Sequence, residues 1–150
     1  MGTDQLIDRF IGKHRWATLT VLRKNGSPVS SIVAYAVDGD ALVVSTPGST
    51  FKRRAMEADA RVNLCIMSNE EPFDFVSLEA TGEVLTENIA EATKKVFKNI
   101  EAVGYTLPDP LGDWLVQQSR VILRLTVHRR HAVLRRFGGC LLYTSPSPRD

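Results

Sequence analysis

The sequence predicts a mainly β protein, a small antiparallel barrel with peripheral helices. Apolar residues recur at every second position through about six short segments. Tight-turn signals join the first three of these into a meander, which is antiparallel by construction. Helical periodicity is confined to single segments inserted between strands, unlike the regular alternation of βαβ units.

The chain opens with Leu6, Ile7, Phe10 and Ile11 at helical spacing between Thr3 and Lys13, with Thr3 or Asp4 placed to cap the helix. From Arg15 the period becomes two: Ala17, Leu19 and Val21 face one way, Thr18 and Thr20 the other. Asn25-Gly26 is a strong hairpin signal, because both residues tolerate positive φ. A second strand runs over about Val29–Val37, and Asp38-Gly39-Asp40 turns the chain into a third, Ala41–Ser45. The loop Thr46-Pro47-Gly48-Ser49-Thr50 leads to a short helix over about Phe51–Ala58. Val62, Leu64 and Ile66 mark a fourth strand, and Val76, Leu78, Ala80 and Val84 a long fifth, in which Gly82 suggests a bulge. Glu87–Glu101 carries the clearest helical stripe: Ile89, Ala92, Val96, Phe97 and Ile100. Leu111, Trp114 and Leu115 suggest a short helix, and Val121, Leu123, Leu125 and Val127 a final strand pair.

After Phe137 the periodicity stops. Gly-Gly-Cys-Leu-Leu-Tyr-Thr-Ser-Pro-Ser-Pro-Arg-Asp resembles translated adaptor sequence more than a natural terminus, a natural flexible tail being the alternative. The expectation is one domain, residues 1–137, and a non-native tail, 138–150.

A chain of 150 residues, 43% hydrophobic and 24% charged, suits one globular domain. Its net charge of +2 does not by itself argue for nucleic acid or membrane. No apolar run approaches spanning length, and the N-terminus alternates charged with apolar residues, so the expected location is the cytoplasm. Two cysteines, Cys65 in a strand pattern and Cys140 in the tail, suggest neither a disulfide framework nor a metal site. Cys65 reads as a buried small hydrophobe.

Candidate chemistry narrows quickly. There is no Gly-x-Ser-x-Gly elbow, no dinucleotide fingerprint and no phosphate loop of the G-x-x-x-x-G-K-[ST] type. His14, His128 and His131 lack triad or metal spacing. Trp16, Tyr35 and Trp114 read as core or interface residues. The stretch Ser45 to Arg54 differs. A strand ends in hydroxyls, a Gly-containing loop follows, and Lys52, Arg53 and Arg54 fall in the first turn of a helix. Cations are unfavourable there unless an anion is bound, and favourable when one is. A solvated basic helix face is the other reading of the same residues.

Asn-Gly-x-Pro, then Asp-Gly-Asp-Ala-Leu-Val-Val-Ser-Thr, then Lys52 in a short helix, then Asp59-Ala60-Arg61-Val62-Asn63-Leu64, together resemble the pyridoxamine 5'-phosphate oxidase-like superfamily. Within it the flavin/deazaflavin (F-420-dependent) oxidoreductases are the nearest group, over about Arg15 to Arg136, with Arg120-Val-Ile-Leu-Arg-Leu-Thr similar to the closing strand. The resemblance implies a six-stranded antiparallel split β-barrel that forms a homodimer with cofactor sites at the subunit interface. It implies that Ser45, Thr46, Ser49, Thr50, Lys52 and Arg53 hold the cofactor phosphate, and that the ring lies against Ser30, Ser31, Ile32 and Val33. The implied chemistry is hydride transfer between coenzyme F-420, or alternatively FMN, and a small organic substrate, with no catalytic acid or base and no metal. Three positions depart from the pattern: Ala55 replaces a frequent Asn, Ala60 a frequent Pro and Val127 another.

Two alternatives stand beside this. A non-catalytic flavin- or haem-binding protein on the same barrel needs the same pocket. A nucleic-acid-binding barrel is opposed by low net charge and the lack of interleaved aromatics. Arg129-Arg130 and Arg135-Arg136 read as a solvated edge, or as a seat for the polyanionic tail of a deazaflavin. Alternation on both faces, with Ile32 and Ala34 opposite Val33 and Tyr35, also calls for a second copy to cover one face.

Overall fold

A computed structural model of the chain describes residues 2–137 and 140–144, with side chains through Arg135. Helix α1 (Thr3–Lys13) precedes strands β1 (Trp16–Leu22), β2 (Pro28–Asp38) and β3 (Ala41–Pro47). Helix α2 (Phe51–Ala58) leads into β4 (Arg61–Met67) and β5 (Phe75–Leu85). Helices α3 (Ala90–Ile100) and α4 (Leu111–Gln117), with a 3-10 turn at Glu101–Val103, precede β6 (Arg120–Phe137) and β7 (Cys140–Thr144). The strand order is β3-β2-β1-β4-β5-β6, and β6 returns to pair with β3. The result is a closed six-stranded antiparallel barrel, with β7 added at the edge of β6.

Alternation places the core. Leu19, Val33, Tyr35, Val44, Leu64, Leu78 and Leu125 point into the barrel, and the α1 stripe of Ile7, Phe10 and Ile11 joins them. The Tyr35 hydroxyl donates to the Ile11 carbonyl at 2.5 Å, and burial pushes its pKa well above the usual phenol value. A second cluster lies outside the barrel, where α3 sets Ile89 and Val96 over the outward residues Ala36, Val43 and Ile122. Asn99 of α3 donates to the Tyr35 carbonyl at 2.8 Å, and Lys95 pairs with Asp38 at 2.6 Å. That helix therefore covers only one end of β2.

Three sequence expectations change. The final strand pair is one continuous strand, β6. Opposite Glu79 and Ala80 its register slips, because Glu79 faces Arg129 while Ala80 faces Val127. The extra residue, His128, switches the core-facing positions from odd (Val121, Leu123, Leu125) to even (Ala132, Leu134). Gly82 is not the bulge. It pairs in register with Leu125, and a Cβ there would lie 2.3 Å from the Met56 sulfur, so it makes room for α2. Neither Thr3 nor Asp4 is the N-cap of α1: Gly2 is, its N–H donating to Gln5 Oε1 at 3.1 Å. Within the stretch read as a tail, Cys140–Thr144 pairs antiparallel with β6. Residues 138, 139 and 145–150 lie outside the described residues.

Candidate functional site

The loop after β3 is built by its own polar groups. Strand alternation turns Ser45 outward and Thr46 inward, where Thr46 is buried and its hydroxyl lies 3.3 Å from that of Thr50. The Thr50 hydroxyl donates to the Pro47 carbonyl at 3.1 Å, so it does not cap α2. Gly48 donates to the Ser119 carbonyl at 2.8 Å, and a Cβ would sit 2.5 Å from that oxygen; only glycine permits the approach. Arg53 and Arg54 fold back onto the loop, donating to the carbonyls of Gly48 (3.1 Å) and Ser49 (2.8 Å). Arg53 also pairs with Glu57 at 2.9 Å. Ser49 itself is exposed.

Lys52 is different. Half-buried, it has no carboxylate or carbonyl partner among the described residues. The charge that acts on it is that of another cation, Arg120. Burial first, and then the charge of Arg120, hold its ammonium below the usual lysine range. Arg120, the first residue of β6, donates through Nη2 to the Ser45 hydroxyl at 2.8 Å. Its guanidinium lies 4.6 Å over the Trp114 ring, and burial lowers its pKa. No carboxylate meets Arg120 among the described residues either. Two partly desolvated cations thus lie close enough to repel, and neither meets a carboxylate among the described residues. Arg120 was missed as a site residue because 75 residues separate it from Ser45 and only closure of β6 on β3 joins them.

The four β2 candidates divide between two faces. Ser30 and Ile32 point outward, while Ser31 faces inward and Val33 is buried in the core. Period-two alternation allows no other arrangement. Across the outer face Ile32 stands beside Thr18, which stands beside Cys65; Ala34 stands beside Trp16. Ile32 is 69% exposed, Met67 54% and Trp16 37%. A cleft of about 430 Å³ lies over them, lined also by His14 and Cys65. Cys65 is therefore half-buried and cleft-facing, not a core residue, and burial raises its thiol pKa. The His14 Nδ1 lies 2.8 Å from the Phe10 carbonyl, which can only accept.

β3 pairs only with Tyr35–Asp38 of β2, so Pro28–Ala34 has no strand on that side. The two strands part after the pair Tyr35–Val44, so Ser45 and the bare stretch of β2 lie on either side of the split.

The side chains of Arg129 and Arg130 are committed elsewhere. Arg130 reaches Asp4 at 2.7 Å and Asp8 at 2.5 Å, and Arg129 lies 3.7 Å from Glu79. The N–H of Arg135 donates to Asp74 at 2.7 Å. Trp114 packs edge-on against Phe97 at 5.6 Å between centroids. Among the described residues no cluster of His, Cys, Asp or Glu could hold a metal ion, and no helix is long and apolar enough to cross a membrane.

The sequence model of a family described as pyridoxamine 5'-phosphate oxidase matches residues 3–134. No curated protein matches the sequence significantly. Among solved structures, a conserved hypothetical protein of Mycobacterium tuberculosis is 21% identical with a TM-score of 0.73, over 100% of this chain and 95% of that one. An F420 reductase is 17% identical with a TM-score of 0.68, over 82% and 94%. A haem-binding protein of Mycobacterium smegmatis is 22% identical with a TM-score of 0.66, over 91% of this chain and 55% of that one. At such identities the likeness is one of fold.

Proposed function

The chain belongs to the pyridoxamine 5'-phosphate oxidase family, and from that premise we propose that it is one subunit of an oxidoreductase that binds a deazaflavin (F-420) or, alternatively, FMN. The observation that carries the reading is the un-neutralised pair Lys52 and Arg120, of which Arg120 bonds Ser45. Desolvating two like charges side by side costs stability unless an anion completes the site. A phosphate does so. It would meet the Lys52 ammonium, the Arg120 guanidinium and the first-turn N–H groups of α2, where no acidic residue competes.

The apolar, strand-free stretch of β2 fits the ring. Ser30 and Ile32 offer side chains to it, while Ser31 and Val33 contribute backbone only. Thr46 and Thr50 act at one remove, holding the loop, and Arg53 braces it through Gly48. When bound, the cofactor supplies hydride chemistry toward a small organic substrate. The protein's part is to fix the phosphate, lay the ring on Ile32 and exclude water from the cleft. A second copy covering Ile32, Met67 and Trp16 would complete that exclusion, which is why we propose a homodimer. The unpaired thiol of Cys65 suits the cytoplasm.

One observation favours a second reading. His14 lines the same cleft, and because its Nδ1 donates to the Phe10 carbonyl, a neutral ring keeps its lone pair on Nε2, which would be the atom to hold a haem iron. Absorbance spectra of the protein titrated in turn with deazaflavin, FMN and haem decide between them. Saturable deazaflavin or FMN binding that is lost in Lys52→Ala supports the oxidoreductase reading. A Soret shift lost in His14→Ala, with no flavin bound, replaces it.

A further inference from the structure

We infer that the molecule admitted to the cleft over Ile32 is an organic acid, its carboxylate received by Arg15 and Lys13. The inference deepens the oxidoreductase reading and rests on that reading's placement of the reaction in this cleft. Lys13 ends α1 and Arg15 stands one residue before β1, so the junction of helix and strand sets both in the cleft lining. Arg15 is half-buried and Lys13 exposed. Neither side chain has a carboxylate or carbonyl partner among the described residues. Glu70 is the one carboxylate in the lining, and it forms an ion pair with neither.

Other half-buried arginines of the chain have a carboxylate. Arg53 has Glu57, Arg124 has Asp38, and Arg130 has Asp4 and Asp8. Arg15 has none, although its guanidinium is partly withdrawn from water at the edge of a cleft. An anion relieves that cost, and a planar carboxylate can accept from two guanidinium N–H groups at once. Beside the cations the lining turns apolar, with Met67, Val103 and Trp16, which meets Tyr105 edge-on at 5.9 Å between centroids. Such a cleft takes an apolar body and fixes its direction by a few charged groups. Two sources share this chemistry: an organic acid that reacts beside the flavin, and a haem with its propionates.

The test gives the full chain two pairs of probes that differ in charge: 2-naphthylacetate with 2-naphthylacetamide, and haem with its dimethyl ester. The naphthyl pair is titrated with and without saturating deazaflavin or FMN and followed by the indole N–H resonance of Trp16, which Trp16→Phe identifies. The haem pair is followed by absorbance. In the parent the acid of at least one pair should bind about tenfold more tightly than its neutral partner, as a charge-assisted contact provides. Arg15→Gln should remove that advantage, leave the neutral partner's affinity unchanged and melt like the parent, because the guanidinium holds nothing in the fold. Arg15→Lys keeps a cation and should keep most of the advantage, and Lys13→Gln should reduce it about threefold. Which pair shows it identifies the source. Equal affinities within both pairs, or an advantage that survives Arg15→Gln, overturns the inference and leaves the flavin reading untouched. If neither deazaflavin nor FMN binds while an Arg15-dependent advantage remains, the flavin reading fails and the acid-binding cleft stands. If nothing binds, both fall.

Discussion

Arg120 and Arg130 stand on the same strand, β6, in opposite electrostatic settings. Arg130 has two aspartates of α1 within bonding distance, Asp4 and Asp8, and although burial opposes it, those bonds hold its guanidinium above its ordinary pKa. Arg120 has a serine hydroxyl, an indole face and the neighbouring cation Lys52, and burial lowers its pKa. The difference shows that a basic cluster becomes a candidate ligand site when the fold withholds carboxylates from it, not when cations are merely numerous.

The largest expected effect tests that distinction directly. Lys52→Ala removes a charge-assisted contact of roughly 1.5–3 kcal/mol, so cofactor affinity should fall about ten- to a hundredfold in a spectroscopic titration. Without cofactor the variant should melt at the same temperature or slightly higher, because a cation in the first turn of a helix is unfavourable when no anion is bound. Parent-like affinity for both cofactors would remove Lys52 from the site. A collapse of the apo protein would make its role structural.

Arg130→Ala should behave in the reverse manner. It unties α1 from β6, and with both aspartates largely exposed the loss is about 1 kcal/mol. The melting temperature should drop by a few degrees while cofactor affinity stays put. Altered affinity would mean that the satisfied cluster also reaches the ligand.

Much of this contrast was hidden from the sequence for identifiable reasons. Period two exposed the barrel strands, and helix α2 falls on Phe51–Ala58 as its spacing suggests. The bulge at His128 was illegible, because an inserted residue in an apolar run looks like a change of phase or a second strand. Gly82 looked like a bulge residue because its true constraint, Met56, comes from a helix 26 residues earlier. Within the candidate site, Lys52 was singled out by its place at a helix start. Arg120 was not: its partners Ser45 and Trp114 meet it only through closure of β6 on β3 and the packing of α4. The division of Ser30 and Ile32 from Ser31 and Val33 was implicit in the alternation, yet a motif mapped as a continuous run obscures it.

A smaller effect separates the covered end of β2 from its bare end. Asp38 accepts from Lys95 and Arg124, joining β2 to α3 and β6, and these bonds hold its carboxyl below its ordinary value. A lowered carboxylate pKa stabilises the fold above the unfolded value and loses that contribution as pH falls through the folded one. Asp38→Asn should therefore cost about 0.5–1 kcal/mol at neutral pH, and its gap from the parent should close as the pH falls below about 4. A gap that persists in acid would assign the loss to packing.

The smallest effect concerns Lys52 again, through its proton. Burial and Arg120 lower its pKa in the free protein, so its charge opposes folding below that value and the opposition is relieved as pH rises through it. Anion binding favours the charged form and therefore couples to the proton. Affinity should be level while Lys52 is protonated in the free protein. Above its lowered pKa it should decline by up to about tenfold per pH unit, beginning below the range of an ordinary lysine. Lys52→Arg supplies the control, since a guanidinium keeps its charge throughout. The dissociation constant of the chosen cofactor, measured from neutral to alkaline pH in parent and variant, should diverge only in the upper part of the range. Parallel curves would show that some other group titrates, and that Lys52 does not face the phosphate.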